Sequence, residues 1–225
     1  MPEPEVWYII GALGAVVKCL RDHGLYHGDI QPNNILINGN QEIKLLETPV
    51  LTHYKDGYER LLHEKNYYSP LSPQQLNSLR KREPQSYGSA EKNEIFSIGI
   101  TALCSVVNNP ITSFYDFREY IVIFDKIMEK LQLMQSLGYS RELINIIGNM
   151  CSEKEEQRPT LESLCTYILP HTDGNLMVQP SNSSGPGLYG SSNGYNGSNF
   201  FCLKNIRKYC KSTARKLFIF SIPLI

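Results

Sequence analysis

The 225-residue sequence has no hydrophobic run that reaches the roughly 20 residues a membrane-spanning helix needs. Its apolar C-terminal end, Leu217 to Ile225, is far too short. No secretory signal pattern is visible at the N-terminus. None of the six cysteines, at 19, 104, 151, 165, 202 and 210, forms a Cys-x-x-Cys pair, and no His stands at zinc-finger spacing. Zinc-finger spacing is thereby lacking, and a reducing, cytoplasmic setting is expected. Cys19, Cys104, Cys151 and Cys165 fall among apolar residues and read as small core residues. Net charge is also missing: 22 Lys and Arg balance 22 Asp and Glu. The balance is uneven, because residues 200–225 carry six basic side chains and no acid, which leaves −6 on the rest. An acidic body with a basic tail does not suit nucleic acid, and no such partner is expected.

What is present is organised around His27 to Leu36, His-Gly-Asp-Ile-Gln-Pro-Asn-Asn-Ile-Leu. Asp29 stands five residues ahead of Asn34, with Gln31 and Pro32 between them. Ile35-Leu36-Ile37 follows and reads as a short buried strand. A carboxylate can accept a proton from a hydroxyl nucleophile, and an amide oxygen can ligate Mg²⁺ beside phosphates. The bland reading is a polar loop between a helix and a strand.

The surrounding pattern is mostly helical. Val6, Ile9, Ile10, Leu13, Val16, Val17 and Leu20 keep three-and-four spacing, so residues 5–22 are expected to form an amphipathic helix that stops at Gly24. Residues 35–37 and 42–46 flank Asn38-Gly39-Asn40 and read as a hairpin. Residues 50–66 are polar and without a clear period. Glu94 to Val107 is apolar almost all round, as a buried helix should be, so Ile98 and Leu103 are expected inside. Helical spacing recurs over 114–135 and 140–151, and again after Gln157-Arg158-Pro159-Thr160 up to Leu169. Residues 172–199 are rich in Gly, Ser, Asn and Pro and read as a flexible linker. In the tail, Leu203, Ile206, Cys210, Ala214 and Leu217 share one helical face with basic residues elsewhere. The expectation is a basic amphipathic segment over 200–219 with weak affinity for an anionic membrane, set against a disordered basic end.

His27-x-Asp29-x-x-x-x-Asn34 resembles the catalytic loop of protein kinases. With Gly after the His it is also similar to the phosphate-handling loop of aminoglycoside and choline kinases. Three further stretches favour protein kinases. Ser72-Pro73-Gln74 resembles the Ala-Pro-Glu motif, Glu94-Ile-Phe-Ser-Ile-Gly resembles Asp-Val-Trp-Ser-x-Gly, and Arg158-Pro-Thr resembles the opening of the last helix. Together they cover residues 5–169.

The resemblance implies a mainly α fold: the C-terminal lobe of a protein kinase with one small β-ribbon, spanning residues 1–171, with the N-terminal lobe absent. It implies ATP and Mg²⁺ as cofactors and a protein substrate or partner. Asp29 would be the catalytic base, Asn34 an ATP-site and metal ligand, Leu36 part of the floor under adenine, and Glu47 the metal-binding acid. His27, Gln74 and Arg158 would be structural, with Gln74 expected to contact Arg158 and other acceptors completing the Arg. This sequence departs from the family in several places. Gln31 replaces the Lys that contacts the γ-phosphate, Gly28 replaces an Arg, and Glu47-Thr48-Pro49 stands where Asp-Phe-Gly is expected. No Gly-rich phosphate loop or Val-Ala-x-Lys strand occurs before the first helix. The expected function is serine/threonine phosphotransfer by the family, silent in this chain alone. An interaction module of pseudokinase type is the alternative, and a small-molecule phosphotransferase is a distant third.

Overall fold

The computed structural model describes residues 1–37, 43–46, 54–64 and 66–172, together with the backbone of 178–180 and 201–203. Seven α-helices are described, α1 (Glu3–Asp22), α2 (Gly57–His63), α3 (Pro73–Arg80), α4 (Ala90–Val107), α5 (Phe124–Ser136), α6 (Arg141–Met150) and α7 (Leu161–Ile168). The helical lobe expected from the pattern is the architecture observed. No helix among the described residues is long and apolar enough to cross a membrane.

The periodic residues of α1 all point inward, from Val6 and Ile10 at 0 % exposed to Leu20 at 7 %. The helix ends where Gly24 adopts φ +72°. Leu25 N–H reaches back to Leu20 O at 2.9 Å and Gly24 N–H to Arg21 O at 2.8 Å. This paired pattern needs a left-handed residue, which Gly supplies without a Cβ penalty.

α4 is the central element and packs against both α1 and α6. Ile95, Phe96, Ile98, Ile100 and Leu103 are all fully buried. Ser89 caps its first turn by accepting from Lys92 N–H. α7 lies against α1, and α5 against α6. Arg21 ties α1 to the starts of α4 and α7 through Glu91 at 3.1 Å and Glu162 at 2.5 Å.

The ribbon pairs β1 (Ile35–Ile37) antiparallel with β2 (Ile43–Leu45) in the register Ile35↔Leu45 and Ile37↔Ile43. The turn at 38–42 lies outside the described residues. Ile43 and Leu45 are buried. β1 is not the buried strand expected: Ile35 is half-buried, while Leu36 and Ile37 are exposed. β1 lies at one edge of the sheet, whereas β2 rests on α1.

Three further elements differ from expectation. Residues 115–122 form a hairpin, β3 (Tyr115–Asp116) and β4 (Ile121–Val122), rather than continuing a helix. Asp116 Oδ1 accepts from Arg118 N–H and Glu119 N–H, and Tyr120 sits at φ +53°, so the chain turns there. Within 50–66, where no period is visible, α2 forms on an Asp56 cap that accepts from Glu59 N–H at 2.8 Å. The Asp-x-x-Glu spacing was the available signal. The linker and tail expected at 172–199 and 200–225 lie almost wholly outside the described residues. Within them β5 (Val178–Pro180) and β6 (Phe201–Leu203) extend the ribbon to the order β1-β2-β6-β5. Extended backbone at Phe201–Leu203 replaces the expected start of a helix.

Candidate functional site

The loop from His27 to Asn34 is fixed from three sides. From within, Pro32–Asn34 forms a single 3₁₀ turn, closed by Asn34 N–H on Gln31 O at 3.0 Å. That turn brings Asn34 over Asp29, so its Nδ2 donates to Asp29 O at 2.8 Å and to Asp29 Oδ2 at 2.9 Å. The five-residue spacing seen in the sequence thus becomes direct contact.

The ribbon provides the second anchor. His27 Nδ1 accepts from Asp29 N–H at 3.2 Å, so the ring proton lies on Nε2 and is donated to Leu46 O at 2.8 Å. Leu46 N–H in turn donates to Asn34 O at 2.7 Å. Burial pushes the His27 pKa down and keeps the ring neutral.

The third anchor is α4. Gly28 N–H donates to Glu94 Oε1, and Thr101 Oγ1 donates to Ile30 O at 3.1 Å. Glu94 is 3 % exposed. Among the described residues its Oε2 has no hydrogen bond of normal geometry. Burial pushes its carboxyl up to about 7, opposed by the Gly28 and His27 amides. Thr101 carried no signal of this role in the sequence.

Gly28 itself sits at φ +72°, and a Cβ there would lie 2.5 Å from the Asp56 Cβ. The fold therefore requires glycine at the position where the family has Arg. Gly57 N–H donates to Gly28 O at 3.1 Å, which seats the start of α2 directly on the loop.

Asp29 is 2 % exposed. Its Oδ1 accepts from Gln31 Nε2 at 2.9 Å and from Ser69 Oγ at 2.8 Å. Its Oδ2 accepts from Asn34 and from the Tyr67 hydroxyl. Gln31, 2 % exposed, also donates to the Tyr67 oxygen, so its amide turns inward. Nothing in the sequence spacing of Tyr67 and Ser69 points to Asp29.

Leu36, half a ribbon away, is 51 % exposed and offers an apolar surface beside the loop. Glu47 lies outside the described residues. Asn34 spends its NH₂ on Asp29, which leaves the amide oxygen as its ligating end, so it fits a Mg²⁺ ligand. No group of three or more His, Cys, Asp or Glu among the described residues is placed to hold a metal.

Gln74 and Arg158 meet at a separate, structural site. Arg158 is 1 % exposed and donates to Gln74 Oε1 at 2.6 Å. Ser152 O at 2.9 Å, Glu153 O at 3.1 Å and Lys92 O at 3.2 Å take three more of its five N–H groups, and the centre of the Phe96 ring lies 4.8 Å from its guanidinium. Burial pulls the Arg158 pKa down to about 10.

A cavity of about 270 Å³ lies away from the loop, between α1 and α7, and Cys19 and Cys165 help line it. Burial raises both thiols, so neither is an activated nucleophile. The Asp29–Asn34 pair lies in the loop and not in this cavity.

A family model described as "Protein kinase domain" matches residues 1–168. Among curated proteins, the chain is 28% identical over 146 residues to human "Serine/threonine-protein kinase Nek2", covering 63% of this chain and 29% of that protein. It is 25% identical over 172 residues to "Mitogen-activated protein kinase kinase 10" of Arabidopsis thaliana, covering 73% and 53%. It is 26% identical over 168 residues to "Membrane-associated tyrosine- and threonine-specific cdc2-inhibitory kinase wee-1.3" of Caenorhabditis briggsae, covering 75% and 24%. The chain thus spans about half or less of the length of these relatives.

Proposed function

This chain belongs to the protein kinase family, and we propose that residues 1–171 are the helical lobe of a serine/threonine kinase whose phosphotransfer is silent in this chain alone. The family generally uses ATP and Mg²⁺ and acts on proteins. The observation that carries the reading is Asp29 held against Asn34 on a loop tied to both the ribbon and α4.

In this reading Asp29 takes the proton of a substrate hydroxyl at its carboxylate. Asn34 Oδ1 and Glu47 would hold Mg²⁺, and the exposed face of Leu36 would lie under the adenine. Bound Mg²⁺ and ATP would supply the phosphoryl group and neutralise its charge. His27 and Glu94 keep Asp29 in place by holding the backbone N–H groups of Asp29 and Gly28.

The silence follows from charge and access. Phosphoryl transfer is mostly positioning and electrostatic stabilisation, with little for the base to do. Gln31 brings no positive charge to the γ-phosphate, and its amide is engaged by Asp29 and Tyr67. One such loss typically costs several kcal/mol, where roughly 1.4 kcal/mol is tenfold in rate. The inward-turned Gln31 also favours a second reading, a pseudokinase that works as a protein-interaction module.

The test is phosphate transfer from labelled ATP to a generic Ser/Thr protein substrate, comparing this chain with Asp29→Ala. The expected result is no transfer from either and weak or absent Mg-ATP binding. Transfer that disappears in the variant would overturn the silence.

For the basic tail, we propose weak electrostatic binding to anionic vesicles through residues 200–219. Binding should weaken in high salt and vanish on deletion of 200–225. Binding that survives the deletion would remove the idea.

A further inference from the structure

The cavity between α1 and α7 is a groove along one face of α1. Gly11, Ala15 and Cys19 form its floor on that helix, and Cys165, Ile168 and Leu169 form the opposite wall. From Gly11 to His23 it follows about 18 Å of helix. Its walls are mostly apolar, and Leu169 is 45 % exposed at its mouth. Apolar side chains that fill it leave water, which is favourable.

One segment of this chain has the matching pattern. At helical spacing Ile206, Cys210, Ala214 and Leu217 share one face, and Lys204, Arg207, Lys208, Lys211 and Arg215 lie off it. From Ile206 to Leu217 that face is about 17 Å long, close to the length of the groove. Anchors spaced by three and four residues are how an amphipathic helix seats in an apolar groove.

Charge and tether point the same way. Residues 200–225 carry six basic side chains and no acid, against −6 on the rest of the chain. At the His23 end of the groove three acids, Asp22, Glu91 and Glu162, meet two bases, Lys18 and Arg21. Leu203 in β6 pairs with Val178 in β5, and β5 touches α1. At most about 20 Å of extended chain joins Val178 to Thr172. Thr172 N–H bonds back to Leu169 O at 3.3 Å. The tail therefore starts within reach of the groove, and such a tether acts as a high local concentration.

We propose that residues 204–219 dock back on the lobe, with Ile206, Cys210, Ala214 and Leu217 seated in the α1–α7 groove. The basic side chains then lie toward solvent and the acidic rim. This inference does not rest on phosphotransfer. The face that docks is the one an anionic vesicle would take up, so docking and vesicle adsorption compete.

The native cysteines report on it. The full chain, dilute and without vesicles, is treated with N-ethylmaleimide in mildly alkaline buffer, and each cysteine is followed by mass spectrometry. The comparison is Ile206→Asp with Leu217→Asp, which spoils the apolar face but leaves the lobe and every basic residue intact. Cys19 and Cys165 are half-buried and within a reagent's reach once the groove is open. They should label more slowly in the wild type than in the variant, by on the order of threefold or more. Cys104 and Cys151 are buried and should stay slow in both chains, which certifies an intact lobe. A short bismaleimide should join Cys210 to Cys19 or Cys165 within one wild-type chain, and the variant should lose that link. Equal labelling of Cys19 and Cys165 in the two chains overturns the proposal, and so does a Cys210 that links to neither. Protection that grows with protein concentration assigns the groove to the tail of a second copy and overturns self-docking. Protection that appears only when anionic vesicles are added overturns it too.

Discussion

Arg158 Nη2 donates to Gln74 Oε1 at 2.6 Å, across 84 positions of sequence and beneath the surface of the lobe. A cation is thus buried against a neutral amide and three backbone carbonyls. The carbonyls satisfy its geometry, but among the described residues no carboxylate lies within hydrogen-bond reach of it, and burial pulls its pKa down to about 10.

Supplying the missing charge should stabilise the fold. Gln74→Glu is expected to gain on the order of 1 kcal/mol, because the carboxylate strengthens the Arg158 bond while losing the Gln74 Nε2 bond to Glu153 O. For a chain of this size that is about 2–4 °C in melting temperature. A calorimetric melt with no increase would count against an uncompensated Arg158.

Glu94 should impose a pH dependence. Its carboxyl is raised to about 7 in the folded chain from an ordinary value of 4.5. The folded state therefore binds the proton more tightly, and this residue's contribution to stability falls as pH rises from about 4.5 to 7, then levels off. The full swing is about 3 kcal/mol. Urea unfolding at several pH values should show that decline in the wild type. Glu94→Gln keeps an acceptor for Gly28 N–H but cannot titrate, so its curve should be flatter. Parallel curves would sink the assignment.

His27 acts with the opposite sign. Its pKa is lowered by burial, so its contribution is present above about 6.5 and is lost as pH falls through the lower folded value. Nitrogen-15 spectra of the imidazole at neutral pH should show the Nε2–H tautomer, as required by the Leu46 and Asp29 bonds. The Nδ1–H tautomer would break this account of the loop.

Gly28 cannot be replaced by the residue the family uses. At φ +72° any side chain is strained, and its Cβ would collide with Asp56. Gly28→Ala should cost roughly 1–3 kcal/mol from the backbone alone, and Gly28→Arg at least as much. Chemical denaturation of both variants checks this, and a neutral Gly28→Ala would show that the loop can relax away from α2.

The sequence alone determined whatever depends on local spacing. The three-and-four period of Val6 to Leu20 made α1, and its Gly24 stop follows from the one backbone region that favours glycine. The all-round apolar run from Glu94 to Val107 could only be a central helix, and Asp29 with Asn34 needed no more than one turn between them. Tertiary structure decided what depends on distant parts meeting. Leu36 is exposed because β1 is a sheet edge, which its own apolar character could not reveal. The hairpin at 115–122 overrode a plausible helical spacing through the Asp116 turn and the left-handed Tyr120. Tyr67 and Ser69 reach Asp29 across 38 and 40 positions, and no periodicity encodes that approach. It exists because α2, seated on Gly28 and capped by Asp56, brings the chain back over the carboxylate it then covers.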